Sequence, residues 1–259
     1  MAGALKSTSD GATLVLTLSN PEFKNALGPE IYAAGVEALN AAENNPDIRS
    51  VVITGEGANF CAGGNLHRLQ ANRQLPMEVQ AQSINGLHSW IDSIRTFPKP
   101  VIAAVEGAAA GAGFSLALAC DFVVAADNAV FVMAYSGVAL SPDGGGSWAL
   151  SRTLPRALVA ELLMCGERIG APRLLALGLV NRSVAAGDAL NEALKLADTL
   201  NARAPNVLAS IKELINDAQA NTLSQQLDAE REHFVRNLHH PNGGEGMAAF
   251  LEKRPPVYD

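Results

Sequence analysis

Three short segments of the chain concentrate glycine next to small and polar side chains. They read N-F-C-A-G-G-N-L (residues 59–66), G-A-A-A-G-A-G-F (107–114) and L-S-P-D-G-G-G-S (140–147). Glycine and alanine let a ligand approach the backbone closely, and the free amides at the start of a helix carry partial positive charge. Two such amides aimed at one point form an oxyanion hole, which stabilises a developing negative oxygen. The clusters are therefore candidates for main-chain catalysis of this kind.

The glycine spacing of residues 107–113 also occurs in dinucleotide-binding enzymes. Gly107, Gly111 and Gly113 follow a predicted strand and precede a predicted helix. Such a motif normally follows the first strand and is succeeded by an acidic residue at the end of the second. Neither condition holds here, and no tyrosine is followed by the lysine of the usual catalytic pair. A dinucleotide site is disfavoured, and a P-loop is excluded because Gly-Lys-Ser/Thr does not occur.

The segment G-F-S-L-A (113–117) is a near match to the nucleophile elbow of α/β-hydrolases. In that motif the serine lies directly on a strand-to-helix turn. Ser115 is instead predicted inside the helix, and the histidines further along lie in a helical tail (His233, His239 and His240). A small serine packed within a helix is the favoured interpretation.

The elements that must position these clusters alternate between short apolar strands and helices. Strands are predicted at residues 13–18, 51–54, 101–105 and 122–124, and helical spacing is found near Pro29, over 79–97 and over 112–120. This order predicts an α/β fold with parallel strand pairing. From about residue 187 only helices are predicted (188–201, 205–218 and 223–239), with Asp188 as an N-cap. The chain is therefore divided into a core domain, 1–187, and a C-terminal helical region, 188–259.

Composition excludes several classes of protein. The 259 residues suit one large domain, and the net charge of −7 with no Lys/Arg run longer than Lys253-Arg254 argues against nucleic-acid binding. Residues 101–120 are apolar, but Glu106 and three glycines argue against a membrane span. Three cysteines are too few for a disulfide framework and fit a reducing compartment. Residues 1–13 lack the apolar stretch of a signal peptide, so a cytoplasmic location is expected.

The order of motifs along the chain is specific. N-P-x-x-x-N-A-L (20–27), F-C-A-G-G-N-L (60–66), E-G-A-A-A-G-A-G-F-S-L-A-L-A-C-D (106–121) and P-D-G-G-G-S (142–147) resemble the crotonase (enoyl-CoA hydratase/isomerase) superfamily. The closest likeness in motif is to isomerases of the phenylacetyl-CoA pathway. The resemblance implies a crotonase-like spiral of ββα repeats with a C-terminal helical trimerisation region, as a homotrimer or dimer of trimers. It also implies an acyl-CoA substrate with no separate cofactor, because CoA is part of the substrate, and no metal.

The resemblance further implies roles for particular residues. The two oxyanion-hole amides would come from Gly64 and Ala112, with Gly111 beside the second. A hydratase of this family carries two glutamates that activate water, and Ser115 and Tyr135 occupy their positions here. Asp143 supplies a carboxylate in the place where related isomerases use an aspartate as acid and base. Because Pro-Asp-Gly is also a turn signal, Asp143 could instead cap the following helix.

Contacts to the substrate are assigned by the same resemblance. They involve Lys24, Ala26, Ala62, Gly63, Asn65, Leu66, His67 and Lys253, the last within the same or a neighbouring subunit. Trp148 is close enough to Asp143 in the sequence to line an acyl pocket, although packing is the favoured interpretation for a tryptophan here. Isomerisation is the leading hypothesis. A hydratase or CoA-thioester or ring hydrolase of the same family is the alternative, and a non-catalytic CoA-binding protein is the alternative from another class.

Overall fold

A computed structural model describes residues 3–259. Within this range the chain forms nine strands: β1 (Ala4–Asp10), β2 (Thr13–Ser19), β3 (Ser50–Gly55), β4 (Val101–Val105), β5 (Ala108–Ala110), β6 (Phe122–Ala126), β7 (Val130–Val132), β8 (Arg168–Gly170) and β9 (Arg182–Val184). Eleven α-helices accompany them: α1 (Pro29–Glu43), α2 (Leu66–Asn72), α3 (Met77–Thr96), α4 (Ala112–Ala119), α5 (Gly146–Thr153), α6 (Arg156–Ala160), α7 (Ala171–Ala176), α8 (Ala189–Asn201), α9 (Pro205–Asp217), α10 (Leu223–Leu238) and α11 (Pro241–Glu252).

The main sheet has six strands in the order β1-β2-β3-β4-β6-β9. β1 and β2 form an antiparallel hairpin, and every later neighbour is parallel. β4 is buried on both faces and β3 nearly so, as their continuous apolar sequences require. The predicted α/β fold with parallel pairing is confirmed. The polar strand β1 was not predicted, because its Lys-Ser-Thr-Ser-Asp sequence lies exposed at the sheet edge.

A second sheet of three short strands, in the order β5-β7-β8, brings the first two glycine clusters together. β5 and β7 are parallel, and β8 returns antiparallel to β7. An isolated bridge joins Cys61 to Ala109 of β5. The first glycine cluster therefore lies alongside the second.

The helix α4 is enclosed by the fold. It is apolar around its whole circumference, and seven of its eight residues are buried, as expected for a helix in the core. It begins at Ala112, directly after the glycine turn, which confirms the helix predicted over 112–120.

The three predicted C-terminal helices are confirmed within one residue at each end, and α11 follows them. α8 packs across the main sheet and shares a buried cluster with Val52 and Ile102. Asp188 stands at the N-cap of α8, but its side chain makes no capping bond. The carboxylate of Glu106 instead accepts hydrogen bonds from the amides of Gly187 (3.1 Å) and Ala189 (2.9 Å). A distant residue has taken over the role expected of Asp188.

None of the helices in residues 3–259 combines the length and apolarity that crossing a membrane requires. The division of the chain at residue 187 stays a prediction.

Candidate active site

The loop that carries the first glycine cluster is bonded along its length to the second. The amide of Cys61 donates to the Ala108 carbonyl (3.0 Å), and the amide of Ala110 donates back to the Cys61 carbonyl (2.8 Å). On its other side the loop meets residues 24–27. The amide of Ala62 donates to Lys24 (2.9 Å), and that of Leu27 donates to Gly63 (2.7 Å).

Glycine is required where these segments meet. Gly63 has φ +89°, and a β-carbon there would lie 2.6 Å from the Ala110 carbonyl oxygen and 3.3 Å from the Ala112 nitrogen. A β-carbon on Gly113 would overlap Cys61. Because no side chain fits at Gly63, the backbone of residues 63–64 lies directly against the start of α4.

Two amides at this contact are left without an acceptor. Among residues 3–259, neither the Gly64 amide nor the Ala112 amide donates a hydrogen bond. Ala112 is the first residue of α4, where helical geometry leaves the amide free and the helix dipole makes it more positive. The arrangement suits a pair of donors for an anionic oxygen.

The Asp143 carboxylate is linked to the start of α4 through Tyr135, whose ring lies against Gly111. Its Oδ1 accepts a hydrogen bond from the Tyr135 hydroxyl at 2.5 Å. The main-chain oxygen of Asp143 accepts from Ser115 Oγ (2.9 Å) and from the Gly146 amide (3.3 Å). α5 has Gly145 at its N-cap with no side-chain capping bond. The carboxylate of Asp143 therefore does not cap α5, so the capping interpretation is wrong, and the catalytic role of Asp143 stays a prediction.

Tyr135 is buried beside the turn that starts α4. Its ring carbon Cζ lies 3.5 Å from the point where a β-carbon on Gly111 would stand. Burial, and after it the negative charge of Asp143, raises the pKa of Tyr135 above its ordinary value. The phenol therefore keeps its proton and acts as a donor to the carboxylate.

Ser115, which the resemblance aligns with the first glutamate of a hydratase, packs against the turn that carries Asp143. Ser115 is 1% exposed. A β-carbon on Gly144 would lie 3.0 Å from Ser115 Cβ, and one on Gly146 would lie 2.6 Å from Ser115 Oγ. Two glycines of the turn that carries Asp143 therefore pack directly against Ser115. Ser115 also holds the backbone of Asp143.

Two further residues lie beside this site and were not predicted from the sequence. Tyr32 of α1 is buried, which raises its pKa to about 12; the Arg68 charge opposes this shift and the Asp143 charge adds to it. Arg68 of α2 donates from Nη1 to Ser83 Oγ at 2.8 Å. No motif marks either residue. The only sequence signal is that Arg68 lies one turn after Asn65.

An open cleft of about 760 Å³ runs between α3, α4 and α5. Ser115, Gly144 and Trp148 contribute to its walls, with Ile91 and Leu118 as apolar neighbours. The Trp148 ring is half-exposed, and the Arg152 guanidinium stacks 4.2 Å from its centre. Trp148 therefore lies where it can line an acyl pocket next to the Asp143 turn.

The remaining predicted residues divide into two groups. Lys24, Ala26, Ala62, Asn65, Leu66 and His67 lie in or beside the joined loops around Gly63 and Gly64. Within that group Asn65 has a structural duty, because its Oδ1 caps α2 by accepting from the Arg68 amide (3.2 Å). Lys253 is not brought to these loops within one chain; it ends α11, and its side chain is exposed.

Comparison with known proteins agrees with this geometry. A sequence profile of the enoyl-CoA hydratase/isomerase family matches residues 8–259. The chain is 37% identical to the 1,2-epoxyphenylacetyl-CoA isomerase of Escherichia coli K12 over 95% of this chain and 94% of that protein. It is 35% identical to the carnitinyl-CoA dehydratase of E. coli O157:H7 over 100% of this chain and 99% of that one.

Solved structures agree on the fold. The crystal structure of an enoyl-CoA hydratase from Polaromonas sp. JS666 superimposes with a TM-score of 0.99 at 80% identity, covering 99% of this chain and 100% of that one. A Geobacillus kaustophilus enoyl-CoA hydratase structure superimposes with a TM-score of 0.92 at 32% identity, covering 98% and 97%. These matches confirm the predicted crotonase-like α/β fold. The chain is a member of the enoyl-CoA hydratase/isomerase family, the crotonase superfamily of enzymes.

Proposed function

We propose that the protein isomerises the double bond of an enoyl-CoA thioester, with Asp143 as acid and base. The observation that carries this proposal is the hydrogen bond from Tyr135 to the half-buried Asp143 carboxylate, because the Tyr135 ring lies against Gly111, directly before the free Ala112 amide. Ser115 and Tyr135 hold the positions of the two hydratase glutamates, and neither is a carboxylate. The site is therefore equipped to move one proton rather than to activate water.

The thioester oxygen would accept hydrogen bonds from the Gly64 and Ala112 amides. As a proton leaves C-2, the electrons of that C–H bond move into the carbonyl, and its oxygen becomes an enolate. The two amides are fixed by the fold before the reaction begins, and each such donor typically contributes about 10²–10³ in rate. The donors make the C-2 proton acidic enough for a carboxylate to remove.

Asp143 would then complete a 1,3-shift. In a 3-enoyl-CoA its carboxylate takes the C-2 proton, and the resulting dienolate is protonated at C-4 by the same carboxyl group. The C-2–H bond breaks, a C-4–H bond forms, and the double bond moves to C-2–C-3. The carboxylate is regenerated, so that no oxidant, reductant or water is consumed.

Hydration is the second candidate function, favoured by the name of a relative. The 80% identical Polaromonas protein is described as an enoyl-CoA hydratase. Water addition here would need Asp143 alone, or a water held by Tyr135 and Ser115. We favour isomerisation because the Tyr135 hydroxyl, which would have to hold that water, already donates its proton to Asp143.

Binding of CoA would involve the loops around Gly63. Lys24 is exposed next to them, and His67 packs edge-on against Phe23, with ring centres 6.1 Å apart. These side chains would meet the nucleotide phosphates and adenine. Lys253 would reach CoA only from a neighbouring subunit.

We propose a homotrimer or a dimer of trimers held by the C-terminal helices. Large apolar side chains on α10 and α11 are uncovered in the single chain, with Phe234 70% and Phe250 83% exposed. Association would remove this surface from water. Light scattering after gel filtration tests the proposal, and a monomer would contradict it.

We place the protein in the cytoplasm, because its three cysteines are free thiols.

The test of the function supplies purified protein with a 3-enoyl-CoA and, separately, with a 2-enoyl-CoA. Absorbance of the conjugated thioester rises on isomerisation and falls on hydration. We expect the first substrate to be converted to its 2-enoyl isomer and the second to resist hydration. Rapid hydration of the 2-enoyl substrate without isomerisation of the other would support the hydratase instead.

A further inference from the structure

The two oxygens of the Asp143 carboxylate have different surroundings. Oδ1 accepts the Tyr135 hydroxyl at 2.5 Å, whereas Oδ2 accepts no hydrogen bond from any residue in the described range 3–259. A hydroxyl-to-carboxylate bond of this length is charge-assisted and strong. One oxygen is therefore committed to Tyr135, and the other is available to a substrate.

Both partners of this bond are held from behind. The Tyr135 ring lies against Gly111, and the Leu140 amide donates to the Tyr135 carbonyl at 3.0 Å. Ser115 and Gly146 hold the Asp143 carbonyl. Rotation of the carboxylate to exchange its two oxygens would break the Tyr135–Asp143 hydrogen bond, whose two partners are both held in place by the contacts just described.

Burial of Tyr135 determines which partner donates the hydrogen bond. The pKa of Tyr135 is raised by its burial first and by the Asp143 charge second. The phenol therefore stays protonated across the range in which a carboxylate changes charge, and it donates to the ionised form of Asp143. Removing the hydroxyl would make that ionised form less stable.

We propose that Tyr135 is a positioning residue that holds Oδ1 of Asp143, so that Oδ2 alone carries the proton in both halves of the isomerisation. This inference rests on the proposed function. Oδ2 takes the C-2 proton as the C–H electrons move to the thioester oxygen, and it gives the same proton to C-4 as the dienolate collapses. Both transfers then occur on one face of the acyl chain.

Other ionisable groups surround the site on the neighbouring helices. They are Tyr32 of α1, His67 and Arg68 of α2, His88, Asp92 and Arg95 of α3, and Arg152 of α5, while α4 carries none. Tyr32 stays neutral because its pKa is about 12. Wild type and a Tyr135 variant share all of these groups, so a difference between their pH profiles reports on the Tyr135–Asp143 bond.

The test compares Tyr135→Phe with wild type and with Tyr258→Phe, which removes the same hydroxyl from the C-terminal segment. Isomerisation is followed across pH. For Tyr135→Phe we expect kcat to fall about 10- to 100-fold, because a hydrogen bond to a charged group is lost. KM should change by less than about threefold, and the acid limb of the profile should move to higher pH, because the hydrogen bond favoured the ionised carboxylate. Tyr258→Phe should match wild type.

Two results would overturn the proposal: an unchanged kcat in Tyr135→Phe, or a lower kcat with the acid limb unmoved. If Tyr135→Phe does not fold, a fluorinated tyrosine at position 135 replaces it. Fluorine keeps the ring in place and makes the phenol a stronger donor, so the acid limb should move down in pH. An unmoved limb would again overturn the proposal.

Exchange of the C-2 protons of butyryl-CoA with D₂O separates this inference from the proposed function. Exchange needs only the base and the two amides. If wild type exchanges but does not isomerise, the proposed function fails, and the slower exchange expected of Tyr135→Phe still decides the role of Tyr135. If wild type shows neither reaction, both proposals are overturned.

Discussion

The α-carbon of Gly63 lies so close to β5 that a β-carbon on it would stand 2.6 Å from the carbonyl oxygen of Ala110. This contact sets the distance between the loop that carries the Gly64 amide and the helix start that carries the Ala112 amide. The two proposed donors come from segments that are far apart in the chain, and the missing side chain at Gly63 is what lets them meet.

Substituting Gly63 should therefore separate the donors. We expect Gly63→Ala to lower kcat/KM by at least about 10²-fold, the size of one lost oxyanion donor. Gly178→Ala is the matched control, since Gly178 has a similar φ of +77° and no atom near its would-be β-carbon. Each substitution should add backbone strain of about 1–2 kcal/mol, which urea unfolding would measure. Comparable activity in the two variants would refute the close-contact explanation.

Binding of an acyl-CoA should change the fluorescence of one tryptophan. Trp148 is 43% exposed at the cleft, whereas Trp90 is fully buried. An acyl group in the cleft should cover Trp148 and shift its emission to shorter wavelength. Titration with a saturated acyl-CoA measures this, and Trp148→Phe should abolish the change. A response that survives in Trp148→Phe would show that the acyl group binds elsewhere.

The C-terminal helices should depend on a buried ion pair. Lys212 of α9 donates from Nζ to Asp121 Oδ2 (2.7 Å) and to the Ile94 carbonyl (2.9 Å). Lys212→Met leaves Asp121 without its partner and should cost about 3–5 kcal/mol in the free energy of unfolding. Lys195→Met, which breaks an exposed pair with Glu192, should cost less than about 1 kcal/mol. Urea unfolding at one protein concentration compares them, and equal losses would contradict the prediction.

Only one of the three thiols should react in the native protein. Cys61 and Cys120 are buried, and burial raises the pKa of Cys61 to about 12 and that of Cys120 above its ordinary value. Cys165 is exposed. A chromogenic disulfide reagent should therefore titrate one thiol per native chain and three after denaturation, with Cys165→Ser removing the native signal. Rapid native modification of Cys61 would show that its loop opens.

The sequence was informative where chemistry depends on the backbone. Glycine at 63, 111 and 113 reflects close approach, positive φ or both, which the local sequence indicates, and the resemblance then pointed to Gly64 and Ala112 as the donors. The parallel strands were predictable because β3 and β4 are continuous apolar runs.

Contacts between distant segments were not predictable from local letters. Glu106 caps α8 from about eighty residues earlier in the chain. The local sequence offers only Asp188 next to the helix, so it predicted the wrong capping residue. Whether Asp143 capped α5 could not be decided either, because a Pro-Asp-Gly turn precedes many helices. In the structure the Asp143 carboxylate accepts the Tyr135 hydroxyl, a contact that depends on the helical turn at residues 136–138 between them.

Asp143→Asn tests the central claim most directly. The amide oxygen of asparagine can still accept the Tyr135 hydroxyl, so the geometry is kept while the base is lost. We predict that kcat for 3-enoyl-CoA isomerisation falls by about 10²–10⁴-fold, while acyl-CoA affinity, measured by Trp148 fluorescence, changes by less than about threefold. A variant that isomerises within about tenfold of wild type would contradict the assignment of Asp143 as the proton carrier.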